Sequence, residues 1–346
     1  MKRNKSGARA FLVIVCILLG IVLAGMIGAT VFINSKLDMI HRTDVEETLS
    51  QEQIEEILAE DKEDPDTATA PVMQEEEMDW GENEGQVIES TDNIVNILLI
   101  GQDARKGWGR SRSDSMILVT FNKEQKTITL TSFLRDLYVK IPGYQDNKLN
   151  ATYVYGGMEL LDKTLEQNFG VQVDGNVEVD FSHFADVIEL LGGVEIELRH
   201  DEANYINNKL GAVGIRSSLT GGLQTLNGDQ ALWYSRIRYL DADADFSRTN
   251  RQRKVINSLI DKFRDAKLTT LMGLLDELLP MITTDLSNKE ILDYATELFP
   301  MLVDCTVVSQ RIPADDAYSL KTIREMACVV ANMDAARKLL QDTIGG

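Results

Sequence analysis

The chain has 346 residues, of which 35 are Lys or Arg and 55 are Asp or Glu, for a formal net charge of −20. This length suffices for one to three domains with a substantial hydrophobic core. The charge is concentrated between Asp44 and Asp92, which hold nineteen acidic residues and a single cation, Lys62. The remainder of the chain is only mildly acidic, which argues against a nucleic-acid-binding protein.

An apolar segment near the N-terminus predicts a membrane anchor. Phe11 to Ile33 is a run of 23 residues without a charge, about 35 Å long as a helix. The alternative is a cleaved signal peptide, but its apolar core usually has only about 7–15 residues. The four cations of residues 1–10 place that tail in the cytoplasm. We therefore predict a single-pass protein of the cell membrane whose C-terminal part lies on the outer face, and not a soluble cytoplasmic enzyme.

The acidic residues 34–93 predict an extracellular stalk. Val45, Leu49, Ile54, Ile57 and Leu58 have the spacing of a short amphipathic helix. The sequence that follows, rich in Glu, Asp, Thr and Pro, is expected to be extended and solvated.

A globular domain is predicted to begin near Asn93. Short apolar, β-branched runs predict strands, and a 3.6-residue apolar period predicts helices. The predicted strands are Ile94–Ile100, Met116–Phe121, Thr127–Thr131, Val177–Val179, Val194–Leu198 and Thr306–Ser309, with a hairpin turn at Asn122–Lys126. The predicted helices are Met158–Phe169, Phe181–Leu191, one that opens with an Asn227–Gln230 capping box, Ser247–Phe263, Leu268–Leu279, Lys289–Phe299, Ser319–Met326 and Met333–Thr343.

This mixture predicts a layered α/β/α domain with a central mixed sheet, preceded by one transmembrane helix. We expect a catalytic domain at residues 94–265 and a helical extension at 266–346 that packs on the same domain. Cys305 and Cys328 either pair or remain separate buried thiols, and three scattered histidines give no zinc-site spacing.

The loop after the first strand carries two carboxylates, Asp103 and Asp114, around a basic stretch. Site residues of α/β folds often follow strand ends, and carboxylate oxygens bind hard cations. The alternative is that these are surface aspartates neutralised by Arg105, Arg110 and Arg112. The common hydrolase, nucleotide-binding and zinc-protease motifs do not occur.

A second cluster of candidate residues opens the predicted helix from Ser247. Arg248, Arg251 and Gln252 share a face with the apolar residues of that helix, so guanidinium groups are expected on its buried side. Phosphate would satisfy them. The alternative is an internal ion-pair network with Asp241, Asp243 and Asp245. If Arg236 and Arg238 both reach one ligand, the preceding helix must end near Arg236.

The motifs from Asn96 to Ile256 resemble the LytR-CpsA-Psr family of cell-envelope proteins. The matching stretches are IGQDARKGWGRSRSDSMILV, SFLRDLYVKIPG, NKLNATYVYGG, VDGNVEVDFSHFADVIELLGGVEI, LNGDQALWYSRIR and DADFSRTNRQRKVI. One departure is Leu134, where family members often have proline before the arginine of the Arg-Asp motif.

The resemblance implies a glycopolymer transferase and assigns its site residues. Asp103 and Asp114 correspond to the metal carboxylates, with Mg²⁺ or alternatively Mn²⁺ as the cofactor, and Arg135 and Arg105 join them as catalytic residues. The residues that correspond to the pyrophosphate-binding set are Arg135, Lys148, Arg236, Arg238, Arg248, Arg251 and Gln252. Apolar residues of the sheet and of helices such as Phe181–Leu191 are expected to enclose the lipid chain.

The implied activity is that of a membrane-anchored, Mg²⁺-dependent phosphotransferase. It moves a glycopolymer, such as teichoic acid or capsule, from polyprenyl pyrophosphate to a peptidoglycan hydroxyl, usually the 6-hydroxyl of N-acetylmuramic acid, and releases polyprenyl phosphate. The implied partners are the lipid-linked glycopolymer, peptidoglycan and the membrane, and no nucleic acid. The alternatives are a module that binds the lipid pyrophosphate without turnover, a hydrolase and a transcription regulator.

Overall fold

A computed structural model describes residues 32–43, 49–59, 70–82, 84–102, 110–238, 240–241, 244–265 and 275–345. Within these residues, seven strands form one central sheet in the order β1-β10-β7-β2-β3-β4-β11. Strands β2, β3 and β4 pair antiparallel, whereas β7 pairs parallel with β2, and β11 pairs parallel with β4. The predicted mixed sheet is therefore confirmed.

The strands of the central sheet are β1 (His41–Arg42), β2 (Ile94–Gln102), β3 (Ser113–Asn122), β4 (Thr127–Phe133), β7 (Gly175–Asp180), β10 (Ile282–Thr284) and β11 (Thr306–Ile312). Smaller hairpins are formed by β5 (Tyr138–Val139) with β6 (Asn147–Lys148), β8 (Val194–Leu198) with β9 (Gly222–Leu226), and β12 (Tyr318–Ile323) with β13 (Met326–Ala331). The labelled helices are α1 (Gln51–Ala59), α2 (Leu149–Phe169), α3 (Phe181–Leu190), α4 (His200–Ala212), α5 (Gly228–Ser235), α6 (Ala244–Asp265), α7 (Asn288–Val303) and α8 (Met333–Ile344).

Helices cover both faces of the sheet. Successive side chains of a strand point to opposite faces, and in β3 the side chains on both faces are apolar and need to be covered. Met116 and Leu118 of β3 pack in one cluster with α2 and α8. Ile117 and Val119, the alternate residues of the same strand, pack in another with Ile256 of α6. We call these the α2 face and the α6 face. This arrangement is the expected α/β/α layering.

A second apolar cluster forms a lobe beside α6. It contains residues of the β8–β9 hairpin and of α4 and α5, together with Ile188 of α3 and Val255 of α6. Two glycines with positive φ, Gly192 and Gly193, follow α3, as predicted for its end. We call this cluster the α6-side lobe.

The N-terminal predictions have mixed outcomes. No helix among the described residues is long and apolar enough to cross a bilayer. Residues 11–31 of the predicted span lie outside the described part of the chain. The amphipathic helix is present as α1, with Ile57 buried.

Residues 70–82 and 84–93 of the expected stalk are mostly exposed, but a few apolar side chains anchor them on the domain. Met78 and Trp80 pack around Tyr138, and Ile88 enters the main core beside α2. The Ile88 N–H donates to the Gly170 carbonyl oxygen at 2.8 Å. Apolar side chains spaced among the acids anchor this segment on the domain, while acids such as Glu77 face solvent.

The C-terminal region is mixed rather than helical. α7 and α8 confirm two predicted helices, and β11 extends the predicted strand and forms an edge of the central sheet. The helix predicted over Ser319–Met326 is wrong, because these residues belong to the β12–β13 hairpin. Its turn residues Arg324 and Glu325 have φ of 47° and 65°, which no helix accommodates. Cys305 packs beside the α6 face and Cys328 lies in a different apolar cluster.

Candidate active site

The candidate site lies where β3 begins and β4 ends. Antiparallel pairing of Met116 with Phe133 brings Asp114, at the start of β3, next to Arg135 and Asp136, which follow β4. The sequence spacing could not show this proximity, because it depends on the register of the hairpin. The result is a half-buried cluster of acids and cations at one edge of the sheet.

Asp114 is bound by an arginine that the loop prediction did not include. Arg135 Nη1 donates to Asp114 Oδ1 at 2.7 Å. Burial opposes ionisation of Asp114, but the charges of Arg135 and Arg248 outweigh it, so the pKa of this carboxyl lies below its ordinary value. Asp114 is therefore a half-buried, ionised member of the cluster and not a fully exposed surface aspartate.

Asp136 joins Arg135 to Lys148. Arg135 Nε donates to Asp136 Oδ2 at 3.3 Å, and Lys148 Nζ lies 3.3 Å from Asp136 Oδ1. Burial would raise the pKa of Asp136, yet Arg135 and Lys148 hold it below its ordinary value. Only 1% of the Lys148 side chain is exposed, and a lysine is almost never so deeply buried without a charged partner.

Helix α6 contributes two further predicted residues. Arg248 Nη2 donates to the backbone carbonyl of Asp114 at 3.4 Å. One turn later, Gln252 Oε1 accepts a hydrogen bond from the Ser115 hydroxyl at 3.2 Å. Both side chains are buried against the start of β3, so the structure brings Asp114, Arg135, Lys148, Arg248 and Gln252 together.

Arg251, also predicted as a pyrophosphate-binding residue, has a different environment from Arg248 and Gln252. Its Nε donates to Glu202 Oε1 at 2.8 Å, and its Nη1 donates to the Ile237 carbonyl at 3.3 Å. Its Nη2 donates to Asp241. Arg251 therefore joins α6 to α4 through the ion-pair network that was the alternative at this helix. Asp243 and the side chain of Asp245, the other expected members, lie outside what the structure describes.

The helix before Arg236 ends where it must if Arg236 and Arg238 are to reach one ligand. Helix α5 begins with the predicted Asn227–Gln230 capping box and ends at Ser235, with Arg236 as its C-terminal cap. Arg236 and Arg238 are half-buried and flank Ile237, which is fully buried. The backbone thus permits both arginines to serve one site.

The basic loop is only partly described. Asp103 and Arg105 fall outside the described residues. The positive charge of Arg112 contributes to the low pKa of Asp114. Arg110 points elsewhere, because its Nη1 lies 2.8 Å from the position that a Cβ of Gly157 would take.

Three residues outside the predicted set also shape the site. Asp136 binds two of the predicted cations. Asn150 is fully buried, its backbone N–H donates to the Arg135 carbonyl at 3.0 Å, and its side-chain amide has no hydrogen-bond partner among the described residues. Leu134 N–H donates to the Ile312 carbonyl at 3.1 Å, a bond that the family's proline would lack.

The described residues are chemically compatible with the expected magnesium ion. They contain no group of three or more His, Cys, Asp or Glu side chains arranged to hold a metal. Mg²⁺ usually needs only one or two carboxylates, because substrate phosphates and water complete its coordination. Asp114, ionised and beside the cation cluster, suits such a site, and Asn150 offers a buried amide with unused polar atoms.

Comparison with known proteins places this site in context. The transferase named polyisoprenyl-teichoic acid–peptidoglycan teichoic acid transferase TagT, from Bacillus subtilis (strain 168), is 35% identical over 213 residues, which are 60% of this chain and 63% of TagT. Regulatory protein MsrR of Staphylococcus aureus (strain COL) is 38% identical over 170 residues, 49% of each chain. The matched part thus spans less than two thirds of either relative.

Solved structures match over a larger part of the chain. A structure described as TagT bound to LIIa-WTA aligns with a TM-score of 0.61 and 29% identity, over 78% of this chain and 99% of that one. YwtF (TagT) with bound octaprenyl pyrophosphate lipid aligns with a TM-score of 0.58 and 27% identity, over the same shares. The LytR_cpsA_psr family model matches residues 52–338. The chain therefore belongs to the LytR-CpsA-Psr family.

Proposed function

We propose that this protein transfers a glycopolymer from a polyprenyl pyrophosphate carrier to a hydroxyl of peptidoglycan, with N-acetylmuramic acid O6 as the acceptor atom. Support comes from the family, from the TagT relative named as a teichoic acid transferase, and from the relative's structure with a prenyl pyrophosphate lipid. Localisation as a single-pass membrane protein, with the domain on the outer face, is part of this proposal.

The observation that carries the proposal is the charge of the half-buried cluster. Arg135, Lys148 and Arg248 surround two carboxylates, Asp114 and Asp136. Three cations against two acids give a net positive charge in a partly desolvated place, which favours a multiply charged anion. Guanidinium groups match the geometry of phosphate oxygens, and a pyrophosphate carries enough of these oxygens to engage several of them.

The cations would act on charge that develops during transfer. The acceptor hydroxyl oxygen forms a bond to the glycan-side phosphorus, and the bond from that phosphorus to the bridging oxygen breaks. Polyprenyl phosphate leaves with the electron pair, while the hydroxyl proton is lost to a carboxylate or to water. Fixed cations stabilise the negative charge of this transition state without reorganising. Asp136, by holding Arg135 and Lys148 in place, keeps that field fixed.

Asp103 and Asp114 are the residues that would hold Mg²⁺, or alternatively Mn²⁺. When bound, the ion would neutralise charge on the pyrophosphate oxygens. In that arrangement Arg135 keeps Asp114 ionised and oriented. Apolar residues of the α6-side lobe would contact the lipid chain.

The test is a transfer reaction with the purified full-length chain. A polyprenyl pyrophosphate glycan and a peptidoglycan oligomer are incubated with Mg²⁺, and both products are followed by mass spectrometry. The proposal predicts a glycan joined through a phosphodiester, together with polyprenyl phosphate in equal amount. Asp114→Asn and Arg135→Met should abolish both products, because each removes a charge from the cluster.

Glu124→Gln, an exposed change in the β3–β4 turn, is the matched control and should retain full activity. Bound lipid that stays intact would favour a binding module, and free phosphorylated glycan without the linked product would favour a hydrolase. Either result would overturn the proposal.

A further inference from the structure

A cavity of about 800 Å³ opens on the α2 face, and its lining does not include Arg135, Lys148 or Arg248. Volumes of roughly 300–1,000 Å³ are typical of sites for small organic ligands. The polar residues that matter here are Arg42, Arg110, Tyr153, Asp162, Glu178 and Asp285, all of which line it.

A break in α2 shapes one wall of this cavity. Gly156 and Gly157 both leave helical geometry, and Gly157 has φ 59° and ψ −148°. Arg110 packs directly against Gly157, in space that any side chain would take. The cavity therefore depends on a glycine at this position.

Buried polar atoms in the cavity lack partners within the described residues. Arg42 Nη1 and Arg110 Nε are buried donors, and Asp162 Oδ1 is a buried acceptor, and none of the three has a hydrogen-bond partner. Buried polar groups are nearly always satisfied in native proteins. A ligand that completes them must both accept and donate hydrogen bonds, as sugar hydroxyl groups do.

The charge of the lining excludes a second anion site. Four carboxylates, including Glu159 at the rim, face the cavity against the two arginines. Asn176 Nδ2 donates to Asp162 at 2.8 Å and to Asp285 at 2.7 Å, so these two acids lie close together. Burial, with help from Asp285, raises the pKa of Asp162 to about 7. A neutral, hydroxyl-rich ligand fits this environment, whereas phosphate does not.

The cavity is linked to the cation cluster through the end of β2. Glu178 accepts hydrogen bonds from the Tyr153 hydroxyl and from Gln102 Nε2. Gln102 Oε1 in turn accepts from the Ser111 backbone N–H at 3.0 Å. Ser111 lies three residues before Asp114, so a chain of hydrogen bonds runs from the cavity wall to the backbone just before the candidate active site.

The two faces of the sheet also suit an in-line displacement. In such a reaction the attacking and leaving oxygens lie on opposite sides of the phosphorus. The α6-side lobe, where the leaving polyprenyl phosphate would depart, is on the side of α6, and the cavity opens on the α2 face. We propose that the cavity binds the acceptor saccharide, the glycan strand whose hydroxyl attacks. This inference rests on the transfer reaction proposed above.

The test compares variants of the full-length chain in two binding assays. Asp162→Asn removes an acceptor charge, and Thr283→Phe, on the strand that pairs with Glu178, fills the cavity. Glu166→Gln, an exposed change one turn along the same helix, is the control. Binding of a soluble N-acetylglucosamine–N-acetylmuramic acid disaccharide, with its lactyl carboxyl capped as an amide so that the ligand is neutral, is titrated by calorimetry. Binding of a polyprenyl pyrophosphate glycan is titrated separately.

Asp162→Asn should weaken disaccharide binding by about tenfold or more, because one hydrogen bond to the ligand loses its charge. Thr283→Phe should weaken it comparably, because the added ring occupies the space of the ligand. The affinity for the lipid-linked glycan and the behaviour of Glu166→Gln should be unchanged. Weaker binding of the lipid-linked glycan instead would mean that the cavity holds the donor saccharide, and would overturn the inference. Unchanged affinity for both ligands would overturn it as well. A chain that binds the disaccharide here but transfers nothing would refute the proposed function and leave this site standing.

Discussion

Replacing Arg251 with methionine should destabilise the fold strongly and spare the affinity for pyrophosphate. Only 3% of the Arg251 side chain and 5% of the Glu202 side chain are exposed. Arg251 also binds Asp241 and the Ile237 carbonyl. Removing one member of a buried ion pair costs about 3–5 kcal/mol, because the other charge stays buried without its partner. We expect Arg251→Met to lower the free energy of unfolding by that amount.

Urea unfolding followed by tryptophan fluorescence measures this loss, since Trp233 packs against the same lobe. A double variant, Arg251→Met with Glu202→Leu, removes both buried charges and should recover stability to within about 1–2 kcal/mol of the parent chain. If Arg251→Met unfolds at nearly the parent urea concentration but no longer binds a polyprenyl pyrophosphate, Arg251 is a ligand-binding residue and the reasoning is refuted.

Three further predictions follow from buried or strained residues. Because the pKa of Asp162 is raised to about 7, its contribution to stability should fade as the pH rises from about 4 to 7, by roughly 4 kcal/mol at most. In urea titrations at several pH values, Asp162→Asn should remove this dependence of the unfolding free energy on pH. An unchanged pH dependence would contradict the prediction. Asp136→Asn should reduce turnover at least tenfold and destabilise by about 3 kcal/mol, since it strips Lys148 of its carboxylate; parent-like rates would refute a positioning role. Gly157→Ala should cost about 1–3 kcal/mol, because φ 59° with ψ −148° is a conformation that is essentially restricted to glycine; a parent-like melting temperature would contradict this.

The central strands could be predicted because their signal is local. Ile94–Ile100, Met116–Phe121 and Thr127–Thr131 are apolar runs bounded by turn residues, and each lies within the observed strands β2, β3 and β4. The helix predicted from Met158 begins nine residues earlier, at Leu149. Its first part was hidden by Gly156 and Gly157, which break the helix although it continues beyond them.

Two segments were predicted wrongly or incompletely because their structure depends on tertiary contacts. The β12–β13 hairpin turns at Arg324 and Glu325, which are not residue types typical of a tight turn. Its two strands were therefore predicted in part as a helix. The packed segment before β2 was read as solvated because its acids outnumber the apolar residues that anchor it.

In the candidate site, too, local patterns predicted individual residues but not their tertiary partners. The helix-face argument grouped Arg248 with Arg251, but the two have different partners, and one partner of Arg251, Glu202, lies 49 residues away in the sequence. The importance of Asp136 depends on the β3–β4 register and on Lys148 from a different hairpin, which no local pattern contains.

The most direct test of the central claim asks whether a sugar hydroxyl or water attacks the pyrophosphate. The reaction with lipid-linked glycan, peptidoglycan oligomer and Mg²⁺ is run in water enriched in ¹⁸O, and the glycan phosphate is analysed by mass spectrometry. Transfer predicts a phosphodiester-linked glycan that contains no ¹⁸O, because the one oxygen newly bonded to phosphorus comes from the acceptor hydroxyl. A free glycan phosphate that carries one ¹⁸O atom, with no linked product, would contradict the account.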